Sequence, residues 1–353
     1  MRFAFTEDQL LLRDALRDFL DAECTPEHVR GLWETETGRS PAFWAQLAEL
    51  GVPGLLVPQK YGGLGLDEID GVLLLEEMGR AALAEPVVGT SAVGAPLLAV
   101  LPADEPAEAW LPKVASGAAT LAVGHPVNPF VSDAHVADLL LLCDGDAIHA
   151  VAPEEVELTA QPANDPSRRL FSVAWTPREQ TRVAGGAEGA ELQGAALDRG
   201  ALACAAQLLG VGQRLVELAV EYAKQRTQFG KPIGSFQAVK HQLADAQVRL
   251  EYARPVVHRA AHSVARGVRT RSADASMAKA AAGEAAVGAA KAALQVHGAI
   301  GYTWEQDLHL WMRRAWSLEL AWGSSAWHRR RVAAALLDGR GTVESFGYEP
   351  RGG

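Results

Sequence analysis

Apolar side chains recur at helical spacing over most of this chain, and the places where that spacing breaks divide it into parts. Thr6 and Gln9 form a capping-box pattern ahead of Leu10, Leu12, Leu16, Phe19 and Leu20, which predicts a first amphipathic helix. Ser40 and Pro41 read as N-cap and first turn of a short helix over 43–50, stopped by Gly51. A loop-rich stretch at 52–65 follows, and Asp67 then caps a helix through Val72, Leu75 and Met78, with helical hairpins continuing to about Ser116. From 119 to 183 the pattern changes to short apolar runs, ATLAV, VADLLLLCD, VELTAQP and LFSVAWTP, separated by Gly, Pro and Asp, which predicts a small β domain. GGAEGAELQG reads as a linker, after which Asp198 is expected to cap a helix carrying Leu202, Leu208, Leu209, Val211, Leu215, Leu218 and Tyr222. A second long helix is expected over 236–266, and an Ala-rich third runs from Ser272 to a stop at Gly298. Thr303 with Gln306 suggests another capping box before Leu308, Leu310, Trp311 and Ala315, and a last helix follows Ser324 or Ser325 to Leu337. Long helices with short connections predict an antiparallel bundle.

The expected fold class is therefore α+β and multidomain: an N-terminal helical domain at 1–117, a small middle β-barrel-like domain at 118–190, a C-terminal four-helix bundle at 191–340 and a mobile tail at 341–353. The 353 residues suit two or three domains, and 48% hydrophobic with 22% charged residues is a globular composition. A net charge of −10 argues against nucleic acid or an anionic membrane as the main partner. Cys24, Cys143 and Cys204 are widely separated and match neither a metal spacing nor a disulfide framework, as expected in a reducing cytoplasm. MRFAFTEDQL has no basic region followed by an apolar core, and no run of about 18 apolar residues is apparent, so a cytoplasmic protein without a membrane span is expected.

Two stretches carry candidate chemistry. In QRTQFGKPIGSFQAVKHQLADAQ, 225–247, a helix runs into Arg226, breaks at Gly230, Pro232 and Gly234, and restarts near Phe236, so Arg226 and Gln237 flank a tight corner. By itself this is either a helix cap with its loop or a phosphate corner, where a guanidinium fork, an amide and the N–H groups of a helix start converge. In QVHGAIGYTWEQDL, 295–308, Gly298 and Gly301 allow close backbone approach, in a helix-turn-helix corner or against a pyrophosphate. His297 reads as a structural residue of that turn.

R-x-x-F-G-x-P-I-x-x-F-Q from Arg226 to Gln237 resembles a motif of the acyl-CoA dehydrogenase family. W-x-x-L-x-E-L-G, V-P-x-x-Y-G-G-x-G-L and E-E-M-G-R between Trp44 and Arg80 resemble that family's N-terminal domain, and 295–308 resembles its Q-x-x-G-G-x-G-Y-T-x-E motif, with Ala299 at the second Gly. The resemblance covers 1–338 and implies FAD as cofactor, contacted in a neighbouring subunit by Arg226, Gln228, Phe229, Gln237, Gln295, Gly298 and Gly301. It also implies an acyl-CoA substrate, desaturated between its second and third carbons, and electron-transfer flavoprotein as the acceptor.

The resemblance also shows what is missing. The family's two flavin-ring strands, reading like L-T-E-P-x-x-G-S-D and W-I-T-N, have no counterpart here, and His125 and Pro126 stand in the region of the Glu-Pro pair. The family's base is a Glu at one of two places, which correspond to Trp322 and to Gly200. An indole N–H only donates, so Trp322 cannot take a proton from carbon, and its bulk would fill an acyl pocket. Glu319 and Asp198 are the fallback bases, with ordinary roles as an ion-pair partner of Arg313 or Arg314 and as a helix cap. Three readings follow. The chain resembles the shorter, non-catalytic β subunit of heteromeric actinobacterial acyl-CoA dehydrogenases, completing the FAD site of a catalytic partner in an α2β2 complex that acts on bulky acyl-CoAs such as steroid side chains. Alternatively it is a self-sufficient homo-oligomeric enzyme with a displaced base, or a non-enzymatic binding or regulatory protein that keeps the fold.

Overall fold

A computed structural model describes residues 4–337; the expected tail at 341–353 lies outside them. Thr6 and Gln9 close the anticipated capping box on α1 (Glu7–Glu23), and α2 (Pro26–Trp33) and α3 (Pro41–Glu49) start on Thr25 and Ser40, each with Pro in the first turn. Asp67 caps α4 (Glu68–Arg80) in a reciprocal box with Asp70. A π-helical turn at Val88–Gly94 leads into α5 (Ala95–Ala99), and α6 (Asp104–Ala115) closes the helical N-terminal part.

Seven short strands follow: β1 (Leu121–Gly124), β2 (Val131–Ser132), β3 (Leu139–Asp144), β4 (Ala147–Val151), β5 (Glu157–Gln161), β6 (Leu170–Ala174) and β7 (Arg182–Ala184). They form two sheets, ordered β1-β3-β4-β7 and β2-β6-β5, with β1 and β3 parallel. Leu140 and Leu142 face the second sheet in a small core with Val131 and Phe171, whereas Leu139 and Leu141 join the main core against the helices. Burial on both faces explains an unbroken run of four leucines in a strand.

The C-terminal helices are α7 (Gly186–Gln225), α8 (Gln237–Ala265), α9 (Arg271–His297), α10 (Leu308–Leu320) and α11 (Ser325–Leu337). The 40 residues of α7, about 60 Å of helix, form the spine against which α4, α8, α9 and α10 pack. Its contact with α4 is backbone to backbone: a Cβ on Gly210 would stand 1.8 Å from Glu76 O, and one on Gly79 2.0 Å from Gln207 O. Sufficient length and apolarity to cross a membrane do occur here, contrary to expectation, but 72% of the most apolar stretch of α7 is buried in the protein.

Two further expectations are corrected. GGAEGAELQG forms the start of α7 rather than a linker, so Asp198 lies well inside the helix and caps nothing. Thr303 does not open α10. Its hydroxyl donates to Ile300 O within a 3-10 turn, Gly298–Tyr302, and α10 begins only at Leu308.

Candidate functional site

At one end of the bundle α7 stops at Gln225, and Arg226 turns out in an extended conformation. β8 (Thr227–Gln228) and β9 (Lys231–Pro232) form a hairpin whose two central residues, Phe229 and Gly230, have φ of 54° and 78°. Two positive φ values suit a tight two-residue hairpin, but a bulky residue there is unusual. Phe229 is 92% exposed and stands edge-on to Phe236, ring centres 6.1 Å apart. Arg226, Gln228 and Gln237 are exposed beside it, and no side chain caps the start of α8, which leaves its first N–H groups for another partner.

The second stretch ends α9 at Gly298, which has φ of 65° and nothing within 4 Å of where a Cβ would stand. Gln295 and Gly298 are exposed, whereas Gly301 is buried and makes room for Leu294 and His297 rather than for an outside group. His297 donates from Nδ1 to Ala293 O at 2.8 Å and stacks on Tyr222, ring centres 4.3 Å apart. That stack ties the end of α9 to the end of α7 and sets both stretches at the same end of the bundle.

The two positions expected to carry a base meet in the interior. Trp322 is 6% exposed, and a Cβ on Gly200 would stand 2.1 Å from its Cδ2. Trp322 has φ of 55°, its N–H donates to Asn128 Oδ1 at 2.7 Å, and its carbonyl accepts from His328 Nε2 at 2.8 Å. His125 packs against the indole, ring centres 5.6 Å apart, so the segment 125–128 closes onto this loop. Lys279 secures the loop from below. It is completely buried and donates from Nζ to Glu319 O at 2.7 Å and Gly323 O at 2.9 Å, while burial pulls it down to about 8.

Neither fallback base faces this space as a free carboxylate. Glu319 caps α11, accepting the Ser325 N–H at 2.8 Å, and pairs with neither arginine anticipated for it: Arg314 pairs with Asp165 and Arg313 donates to Asn164 O. Trp322 lies past the end of α10, so the two do not share a helix. Asp198 is 1% exposed and accepts from Ser272 Oγ at 2.6 Å and Arg331 Nη1 at 2.9 Å, locking α7 to α9 and α11. Lys279 and Asn128 escaped sequence reading. Lys279 left a signal only as a cation amid the Ala-rich run of α9.

The profile of the acyl-CoA dehydrogenase N-terminal domain matches residues 6–118, and that of the C-terminal domain matches 187–337. Acyl-CoA dehydrogenase IpdE2 of Mycolicibacterium smegmatis is 36% identical over 337 residues, covering 94% of this chain and all of the relative. The chain belongs to the acyl-CoA dehydrogenase family. IpdE2 of Mycobacterium tuberculosis is 33% identical, over 88% of this chain and 91% of that one. Among solved structures, a chain of the ChsE4-ChsE5 complex from M. tuberculosis superposes with a TM-score of 0.85 at 27% identity, covering 96% of this chain and 99% of the other. Butyryl-CoA dehydrogenase from Megasphaera elsdenii gives the same TM-score at 22% identity, over 96% of this chain and 100% of the other, a likeness of fold.

Acyl-CoA dehydrogenases are FAD-binding flavoproteins. Two places on this chain test the fit to that cofactor. The exposed end fits a phosphate-bearing partner, with a free guanidinium, an uncapped helix start and an open glycine together. The interior does not fit a reacting pair: the segment 125–128, Trp322 and Gly200 are packed on one another, and no carboxylate stands at either base position.

Proposed function

We propose that this chain is the non-catalytic partner in a heteromeric acyl-CoA dehydrogenase, completing the FAD site of a catalytic subunit in an α2β2 assembly. The observation that carries this reading is the closure of Trp322 over Gly200, which leaves both base positions without a proton acceptor and without room. When bound, FAD supplies the hydride acceptor, and in this reading the substrate's proton is taken by a carboxylate of the catalytic subunit. Arg226 clamps a phosphate oxygen pair, Phe229 covers a flat group, Gln228, Gln237 and Gln295 orient it through their amides, and Gly298 lets the backbone come close. Gly301 supports that turn by packing. The substrate in this reading is a bulky acyl-CoA of the steroid side-chain type, and electron-transfer flavoprotein is the acceptor. Free thiols at all three cysteines suit a cytoplasmic setting.

The test is to express the chain alone and with a longer relative that retains a Glu at either base position. The chain alone should be colourless and inactive, and the pair should be yellow and reduce an acceptor dye with acyl-CoA. A yellow homo-oligomer that turns over by itself would sink the proposal in favour of a displaced base.

A further inference from the structure

Beneath Trp322 lies a partly open pocket of about 60 Å³, walled by the segment before the π-helical turn, by β2 and by α10. Its wall holds three guanidinium groups, of Arg39, Arg168 and Arg314. Two have carboxylates of their own: Arg39 pairs with Asp133, and Arg314 with Asp165. The fork of Arg168 is met by neutral oxygens alone. Its Nη1 donates to Ser317 O at 2.9 Å and Ser317 Oγ at 3.4 Å, and its Nη2 to Ser132 Oγ at 2.8 Å. Burial pulls Arg168 below the usual guanidinium range, yet the side chain retains accessible surface while lining the cavity.

A second observation concerns Arg39, which is 7% exposed and whose Nε has no hydrogen-bond partner although it lines the same space. The remaining acid of the wall, Glu85, accepts the Ser40 N–H at 3.1 Å, and burial pushes it up to about 7. Glu85 is thus bonded to a backbone N–H and not to Arg168, which stays the one guanidinium of the wall without a carboxylate of its own, an imbalance of paired charge. A guanidinium cannot shed its proton to relieve the imbalance, and an uncompensated buried cation is strongly unfavourable.

We infer that this cavity is a binding site for a small carboxylate anion, held by Arg168 and the free Arg39 Nε under the roof made by Trp322. A planar guanidinium presents parallel N–H groups at the spacing of two carboxylate oxygens. The volume corresponds to ~4 to 6 water positions, enough for a carboxylate of two or three carbons and too little for a long acyl chain. The carboxylate is either a free ion or the far end of a short acyl group, and the chemistry at Arg168 is the same for both. The site is independent of the proposed role in completing a partner's cofactor site, because its readout is binding to this chain.

The full chain, alone or with its partner, is titrated with sodium acetate against sodium chloride at matched ionic strength, following the melting temperature and the heat of binding. Acetate should raise the melting temperature where chloride does not. Arg168→Met should weaken acetate at least tenfold, and the exposed Arg330→Ala should leave it unchanged. Should Arg168→Met fail to fold, Arg168→Lys keeps the charge without the fork and should still weaken acetate about tenfold. Displacement of acetate by glutaryl-CoA and not by butyryl-CoA assigns the site to an acyl end, and absence of displacement assigns it to a free anion. Equal effects of acetate and chloride, or acetate binding undiminished in both Arg168 variants, would overturn the inference.

Discussion

Trp322 packs face to backbone against Gly200, so close that a single methyl carbon on Gly200 would stand 2.1 Å from Trp322 Cδ2 and 2.4 Å from Cε3. Gly200→Ala should therefore destabilise the protein by about 1 to 3 kcal/mol, because the indole is walled in and cannot step aside without cost. Trp322→Ala opens the space, so the double variant should recover part of the loss. Denaturation midpoints in a double-mutant cycle give the coupling, and strictly additive effects would show that the two positions do not meet.

Restoring a carboxylate should not restore chemistry. In Trp322→Glu the base position regains an acceptor, but base, thioester and flavin have to be held together, and one member alone contributes little. Acyl-CoA-dependent bleaching of flavin, measured on this chain in the absence of a partner, should stay at background. The same measurement on Glu319→Gln decides whether a displaced base exists here.

Acid should loosen the loop that carries Trp322. Burial holds His328 down at about 4, its Nε2 donates to Trp322 O, and its Nδ1 is buried without a partner, with Lys279 and Arg331 adding positive charge nearby. The unfolded chain, with histidine near 6.5, binds the proton more readily, so the stability due to neutral His328 is complete above pH 6.5 and is lost as the pH falls toward 4. The loss amounts to roughly 3 kcal/mol over that window. His328→Gln retains a donor for the carbonyl and should flatten this part of the profile, as urea midpoints between pH 7.5 and 4.5 will show.

Asp198 is a structural anchor rather than a base. Asp198→Asn leaves the half-buried Arg331 against a neutral group and should cost about 1 to 3 kcal/mol of stability. Whatever complex still folds should turn over at the wild-type rate, read as kcat per bound flavin. A collapse of kcat with unchanged melting would return Asp198 to the catalytic site.

Arg226→Ala should act in the opposite way. The side chain is exposed on a hairpin outside the core, so melting of the chain should be unaffected. Flavin affinity of the complex should fall roughly tenfold to a hundredfold, the worth of a charge-assisted clamp, with incomplete rescue by Arg226→Lys. Unchanged flavin content on gel filtration would take Arg226 out of the cofactor site.

Local signals written in the sequence were sufficient for much of this protein. The capping box at Thr6, the cap at Asp67, the Ser40-Pro41 start of α3, the stop at Gly298 and the run of short strands depend on contacts within a few residues, which sequence displays directly. The family motifs likewise singled out Trp322 and Gly200, each by its position. The sequence misled where a residue's reason lies elsewhere in the chain. Gly189 looks like linker, yet it lies within α7, and its lack of a side chain serves close packing, since a Cβ there would stand 2.1 Å from Asp146 O. Asp198 looks like a cap, and is a buried acceptor for Ser272 and Arg331. Only the tertiary structure brought Trp322 onto Gly200, put Lys279 under the loop and gathered Arg39, Arg168 and Arg314 around one cavity. Those residues are separated by tens to hundreds of positions, and no local propensity records which side chains the packing of α7, α9 and the sheets will bring together.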